Sequence, residues 1–375
     1  MKVRAATLRE MGLPAPYAQS QPLQIGEVTL DGPGPGELLV RVRAAGLCHS
    51  DLSVIDGSRP RVMPMVLGHE AAGEVVETGP DTPGFMPGDA VVFAFVPSCG
   101  HCDYCADGRA ALCEPGAKAN TAGTLLSGAR RWHAADGGEL HHHLGVSGFA
   151  EYTVVSARSA VRIDRDLPPQ IAALFGCAVM TGVGAVINTA RVVPGESVAI
   201  FGMGGVGLAA LLGAVAAGAD PIVAVDVLPA KLELARSLGA THTVLAGPDA
   251  VNEIREATRG GAAYAIETAG VEIALAQAYA ATRRGGTTVT VGLPHPQKQF
   301  AISAVSLVAE ERTVKGSYMG SAVPSRDLPR FIALYRAGRM PVDRLLTQTL
   351  KLEDINAAFD RLARGEAVRQ VVLFE

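Results

Sequence analysis

Two rhythms of apolar residues divide the chain. Up to about residue 180 the apolar runs are short. Leu38-Leu39-Val40-Arg41-Val42 and Ala90-Val91-Val92-Phe93 read as strands, and Gly32-Pro33-Gly34-Pro35-Gly36 and Met86-Pro87-Gly88-Asp89 as the turns that break them. This predicts antiparallel β structure. The opening Met1-Lys2-Val3-Arg4-Ala5 alternates and reads as a further strand. The stretch 118–143 is polar and glycine-dotted and predicts a surface excursion, with Arg130-Arg131 and His141-His142-His143 as solvated residues. After residue 180 strands alternate with helical segments: 198–201 then 206–217, 222–225 then 229–238, 264–267 then 273–282, and 287–291. That order predicts a parallel sheet with helices on both faces. A helix at 325–337 and a strand at 369–374 close the chain, the strand returning to the first domain.

A chain of 375 residues exceeds one ordinary core and implies about two domains. A net charge of −4 with 5% aromatics argues against a nucleic-acid surface. Residues 198–219 carry no charge and reach bilayer length, but six glycines and a following apolar strand favour a buried strand-turn-helix, so no membrane span is expected. Six cysteines are too sparse for a disulfide scaffold, and the first residues lack the pattern of a secretory leader. Reduced thiols and a cytoplasmic location follow as expectations.

The cysteines are not evenly spread. Cys99, Cys102, Cys105 and Cys113 have the spacing C-x2-C-x2-C-x7-C, and Cys48 and Cys177 stand alone. Four thiolates in one loop close a tetrahedral shell around zinc and leave no coordination position for substrate. This lobe reads as structural.

Ser197-Val198-Ala199-Ile200-Phe201 runs into Gly202-Met203-Gly204-Gly205-Val206-Gly207. A glycine turn that follows a strand and opens a helix suits a dinucleotide pyrophosphate. Gly202 permits the turn, Gly204 lets the backbone approach the phosphates, and Gly207 lets helix and strand pack closely. Asp226 ends the next strand, where a carboxylate accepts from ribose hydroxyls and repels a 2′-phosphate; NAD is expected over NADP.

Gly46-Leu47-Cys48-His49-Ser50-Asp51, Gly68-His69-Glu70 and Gly176-Cys177 offer two thiolates and one imidazole, a three-ligand zinc site with one position open. Its expected place is the cleft between domains, facing a nicotinamide. Zinc there would lower the pKa of a bound oxygen from ~15.7 toward ~7, readying an alcohol to give hydride to the nicotinamide. Ser50 is the candidate to start the proton's path out. Asp51 is the candidate to hold the second nitrogen of His69. Glu70 reads either as an acid behind the metal or as a transient ligand, and a plain surface ion pair is the alternative for both acids.

Together these residues resemble the zinc-dependent alcohol dehydrogenases of the medium-chain dehydrogenase/reductase superfamily. Gly68-His69-Glu70, the four-cysteine lobe, Gly176-Cys177 and the 202–207 turn fall in the family's order and spacing over nearly the whole chain. The resemblance implies a GroES-like antiparallel β catalytic domain over 1–178 with its lobe at about 97–115, a doubly wound Rossmann domain over 179–321, and a returning tail at 322–375. It implies two zincs per chain, with Cys48, His69 and Cys177 around the catalytic one, Glu70 behind it and Ser50 in the relay. It further implies cofactor contacts from His49 and Arg369 to the pyrophosphate, Lys231 near the adenosine ribose, and Thr181 and Val206 against the nicotinamide. The backbone at Val291, Ser317 and Met319 would bind the carboxamide, and Phe95 and Phe149 would line the substrate pocket. The 118–143 excursion resembles the insertion of the liver-type dimeric branch, implying a homodimer. Many liver-type enzymes carry a histidine three residues after the relay hydroxyl; here that position is Ser53.

The expected activity is interconversion of alcohols and aldehydes with NAD, on primary alcohols including bulky or aromatic ones. A glutathione-dependent formaldehyde dehydrogenase shares the architecture and needs cations at the pocket mouth, for which Lys118, Arg130 and Arg131 are candidates. A zinc-free alkene reductase would leave Cys48, His69 and Cys177 without purpose. A zinc-lobe binding module would leave most of the chain unexplained, and Arg109 is the one Lys or Arg inside the lobe.

Overall fold

The computed structural model describes all 375 residues as two compact units. The first comprises 1–177, 323–329 and 346–375; the second comprises 178–322 and 330–345. Residues 330–345, expected in the returning tail, therefore group with the second unit.

The first unit is built on two sheets. A closed barrel runs through Lys2–Leu8, Leu23–Leu30, Trp132–His133, Glu139–His142 and Met65–Val66. A seven-stranded sheet orders Ala160–Ile163, Ala90–Phe93, Glu70–Thr78, Glu37–Gly46, Arg369–Leu373 and Leu346–Leu350, with Tyr152–Ser156 also paired to Glu37–Gly46. The C-terminal strand thus returns to this unit, antiparallel to Glu37–Gly46. One core gathers Leu8, Leu38, Leu47, Ile55, Phe93, Phe149 and Phe359, and a second gathers Leu30, Leu125, Trp132 and Leu140.

The stretch 118–143 departs from its surface reading. It supplies the end of the helix Glu114–Ala122 and two barrel strands, and Trp132, Leu140, His142 and His143 are buried. Arg131 is not a free surface cation: its Nε donates to Glu37 Oε2 at 2.8 Å. Arg130 Nε donates to His141 Nδ1 at 3.1 Å and pairs with Glu139. The Arg130 charge is met within the segment and the Arg131 charge by Glu37, far away in sequence, so the polar pattern does not disclose the burial.

The second unit carries a six-stranded sheet ordered His242–Leu245, Ile222–Asp226, Val198–Phe201, Ala262–Glu267, Thr282–Thr290, Thr313–Gly316, every neighbouring pair parallel. Chain order reverses beside Val198–Phe201, the switch point where open α/β sheets bind ligands. The uncharged run at 198–219 resolves into the strand Val198–Phe201 and the helix Gly205–Ala216. Pro169–Ala190 is the helix long and apolar enough to cross a bilayer, and 89% of its apolar window is buried inside the protein.

Candidate functional site

Cys48, His69 and Cys177 converge in the first unit, their donor atoms all within 4.8 Å of one another. Each arrives for a local reason. Glu37–Gly46 leads through Leu47 to Cys48, which caps the helix His49–Ile55. The Asp51 carboxylate accepts from the Cys48 N–H in return, which locks the first turn. Gly68 turns the chain at φ +93°, where a Cβ would lie 2.6 Å from Phe149 N, and so delivers His69 to the start of Glu70–Thr78. Gly176 lets its helix approach the strand Ala90–Phe93, since a Cβ there would lie 2.4 Å from Phe93 O. Cys177 sits in the wide π-helical turn Phe175–Val179.

All three side chains are buried. The Cys177 thiol hydrogen-bonds to Cys48 and, with His69 and Arg369, holds the Cys48 thiol well below its ordinary range despite burial. Facing that sulfur and buried, Cys177 is pushed far above its own. Burial alone would lower His69, but the Asp51 carboxylate and Cys48 outweigh it and raise it. Without a cation the two sulfurs cannot both ionise in this space. A divalent ion allows both to do so and takes the imidazole as third ligand, so the donor set fits zinc with one open position.

Around these donors the structure sets four more groups. Asp51 Oδ1 lies 2.9 Å from His69 Nδ1. Glu70 pairs with Gly46 across the strands, its Oε1 occupying the space a Cβ on Gly46 would need. Burial lifts the Glu70 carboxyl to about 7, against the pull of Arg369 and with help from Cys48. Neither acid forms a surface ion pair; both are fully buried. Arg369, expected at a pyrophosphate, donates to Leu47 O at 3.1 Å and lies 3.6 Å from Glu70 Oε2. His143 is the residue that sequence reasoning missed. Its ring meets His69 edge-on at 5.5 Å, and its Nδ1 lies 3.2 Å from Asp51 Oδ1. No sequence signal marks it, since Glu139-Leu140-His141-His142 offers a single apolar residue and the burial that alternates along it is set by the fold.

Of the two candidate pocket walls, Phe95 lies here, its ring at 83° to His69 and 5.6 Å away. Phe149 does not line a pocket. It is fully buried in the core against Phe359, since its backbone already closes on Gly68. Ser50 is half-buried and His49 exposed on the first turn after Cys48.

The four lobe cysteines come together in the first unit. The sulfurs of Cys99, Cys102, Cys105 and Cys113 lie within 4.8 Å of one another. Backbone N–H groups donate to two of them: Cys99 and Gly116 to Cys113, at 3.2 and 3.4 Å, and Cys102 to Cys99 at 3.3 Å. Such N–H bonds favour the thiolate while burial opposes it, raising Cys113 and Cys105; a cation offsets that cost, and four sulfurs this close suit a closed zinc shell.

In the second unit Gly202 has φ +91°, and a Cβ on Gly207 would lie 1.7 Å from Gly202 O. A Cβ on Gly204 would meet nothing within 4 Å, so this face of the turn is open to a ligand. Asp226 accepts from Met203 N at 2.6 Å and Leu228 N at 2.9 Å, which ties the acid to the glycine turn. Gly205 is buried; Val206 and Lys231 are half-buried. Thr181 is buried with its hydroxyl unpaired. The N–H groups of Val291 and Ser317 are taken by Glu267 O and Thr290 O, so these two can meet a ligand amide only through their carbonyls. Met319 is buried at φ +52°.

Comparison with known proteins agrees with this geometry. Residues 34–165 match the alcohol dehydrogenase GroES-like domain and residues 205–337 the zinc-binding dehydrogenase. A putative alcohol dehydrogenase D of Mycobacterium tuberculosis is 39% identical over 100% of both chains. An NDMA-dependent alcohol dehydrogenase of Amycolatopsis methanolica is 38% identical, over 100% of this chain and 99% of its own. The crystal structure of benzyl alcohol dehydrogenase from Acinetobacter calcoaceticus superposes with a TM-score of 0.93 at 31% identity, covering 100% of both chains.

Proposed function

The chain belongs to the zinc-dependent alcohol dehydrogenases, oxidoreductases that interconvert alcohols and aldehydes, and we propose that it uses NAD and acts on primary alcohols, bulky and aromatic ones included. The observation that carries the reading is the convergence of Cys48, His69 and Cys177 with Asp51 on the second nitrogen of His69. Zinc held there supplies Lewis acidity toward an alcohol or carbonyl oxygen, and a nicotinamide supplies the hydride acceptor. Two zincs per chain, one in each cysteine-bearing site, are part of the proposal.

The chain's own residues do the remaining work. Asp51 holds His69 Nδ1 and so fixes the tautomer that would leave Nε2 as the nitrogen to hold a metal. Glu70 and Arg369 keep a buried, mutually compensating charge pair beside Cys48. Phe95 presents an aromatic wall suited to a ring or chain on the substrate carbon. We assign Ser50 to take the alcohol's proton, and exposed His49 beside it to pass the proton to water; no histidine follows at position 53. Asp226 supports NAD, because a carboxylate there repels a 2′-phosphate. Arg130 and Arg131 are engaged with Glu139 and Glu37, which leaves little support for a pocket mouth that recruits glutathione. A homodimer and a cytoplasmic location complete the reading.

The test is a panel of aliphatic and aromatic alcohols with NAD, NADP and NDMA supplied separately, before and after chelation, with zinc counted per chain. Turnover with NADP equal to that with NAD would overturn the cofactor assignment. Full activity after loss of all zinc would overturn the site.

A further inference from the structure

Asp51 is fully buried, and the donors that reach it are unequally shared. Oδ2 takes the Cys48 N–H at 3.2 Å. Oδ1 faces two imidazoles, His69 Nδ1 at 2.9 Å and His143 Nδ1 at 3.2 Å. A carboxylate only accepts, so an imidazole nitrogen bonds to it as an N–H donor; His69 Nδ1 makes that bond, and His143 Nδ1 stands against the same oxygen. With one donor on Oδ1, the carboxylate could turn about its last side-chain bond and release His69. A second donor on the same oxygen opposes that turn.

His143 is itself held for this task. It follows the strand Glu139–His142, and its backbone N–H donates to Ser147 Oγ at 2.9 Å. Its carbonyl accepts from the N–H groups of Val146 and Ser147, which closes a tight turn through Leu144 at φ +51°. The side chain is 1% exposed, and Nδ1 makes no well-aligned hydrogen bond, with Asp51 Oδ1 at 3.2 Å the acceptor it faces. An imidazole nitrogen buried with nowhere else to donate costs free energy unless Asp51 takes it. Its ring also stands at 86° to His69, and Phe95 meets His69 at 83°. His69 is therefore bracketed by two rings, and one of them shares its carboxylate.

We propose that His143 is a positioning residue for the catalytic zinc: it donates to Asp51 Oδ1 and thereby fixes the carboxylate that orients His69. This deepens the zinc reading above and depends on Cys48, His69 and Cys177 being the ligands.

The experiment compares His143→Phe, which keeps a ring and loses the donor, with His143→Asn, whose amide nitrogen can stand near the place of Nδ1. Zinc release to a chromogenic chelator is followed in the full-length protein, and the phase from the open site is identified as the one absent in Cys48→Ala. The lobe zinc is the internal control for folding. Loss of an outer partner of a metal ligand typically weakens metal binding ten- to a hundred-fold, so His143→Phe should release the open-site zinc about tenfold faster with the lobe phase unchanged. In the same variant kcat falls while KM moves little, because the group acts through His69 rather than on substrate. His143→Asn should restore most of both. Release from His143→Phe at the wild-type rate overturns the proposal and leaves ring packing as the role of the side chain; equal loss in both variants overturns it too, because a restored donor would then not restore the site. A wild-type protein with lobe zinc alone would instead overturn the ligand assignment.

Discussion

Replacing Arg131 with methionine probes the segment whose burial hydropathy does not reveal. Glu37 is 1% exposed and accepts from Gly34 N–H and Arg131 Nε on Oε2, both at 2.8 Å, and from Ser127 Oγ on Oε1 at 2.7 Å. Arg131→Met leaves the two neutral donors and removes the only cation paired with Glu37. Breaking a buried pair by deleting one partner costs about 3–5 kcal/mol; the Arg131 side chain is 23% exposed, so about 3 kcal/mol is the fitting figure. In a unit of this size each kcal/mol moves the melting temperature by roughly 2–4 °C, so a fall of roughly 6–12 °C is expected. Thermal melting at fixed scan rate reads the shift, because unfolding of a two-unit chain need not be reversible. Adding Glu37→Gln removes the stranded charge, and the double variant should regain at least half of the loss. A shift under about 2 °C in Arg131→Met, or no recovery in the double variant, would refute the view that this pair pins the barrel wall.

Four further outcomes are expected. Cys48→Ala and His69→Ala should each abolish alcohol oxidation while one zinc per chain remains in the lobe; near wild-type turnover in either would remove it from the site. Ser50→Ala should slow proton release and hydride transfer strongly, and an unchanged single-turnover rate would remove Ser50 from the relay. Gly46→Ala puts a Cβ 2.3 Å from Glu70 Oε1 and 2.8 Å from its Cδ, so the carboxylate must shift; a lengthening of the 3.6 Å approach to Arg369 by about 1 Å weakens the pair by about 1 kcal/mol at an effective dielectric of 20, or roughly fivefold in kcat/KM if the pair acts in turnover. Unchanged kinetics in that variant would show the pair to be silent. Burial, with the Arg131 charge nearby, holds His142 down at about 3. The unfolded chain then binds the extra proton as pH falls below about 6.5, and stability drops by about 1.4 kcal/mol per pH unit from that one group. His142→Gln, whose amide oxygen can accept the bond from Arg131 N–H, should flatten that slope in urea melts between pH 6.5 and 5.

What could be read in the chain beforehand follows the range of the interactions involved. The cysteine lobe and the 202–207 turn are local: their ligands or glycines lie within a few residues of each other, and backbone geometry alone turns the spacing into a site. Cys48, His69 and Cys177 are far apart, yet each carries its own short signature, a glycine just before a metal-binding side chain. The Glu70–Gly46 and Gly176–Phe93 approaches explain why those glycines are needed. His143 had no such signature. In sequence it is the third of three histidines in a polar stretch, and only closure of the barrel sets it beside Asp51. Phe149, which the family resemblance puts at a pocket wall, lies instead in the core. The core took it because Gly68 and Phe359 already flank it. A polar residue reads as exposed until its partner is located, and here Asp51, Glu37, His142 and His143 are all buried through partners remote in the chain. Asp51 and His143 among them stand at the candidate metal site, and only the fold brings the two together there.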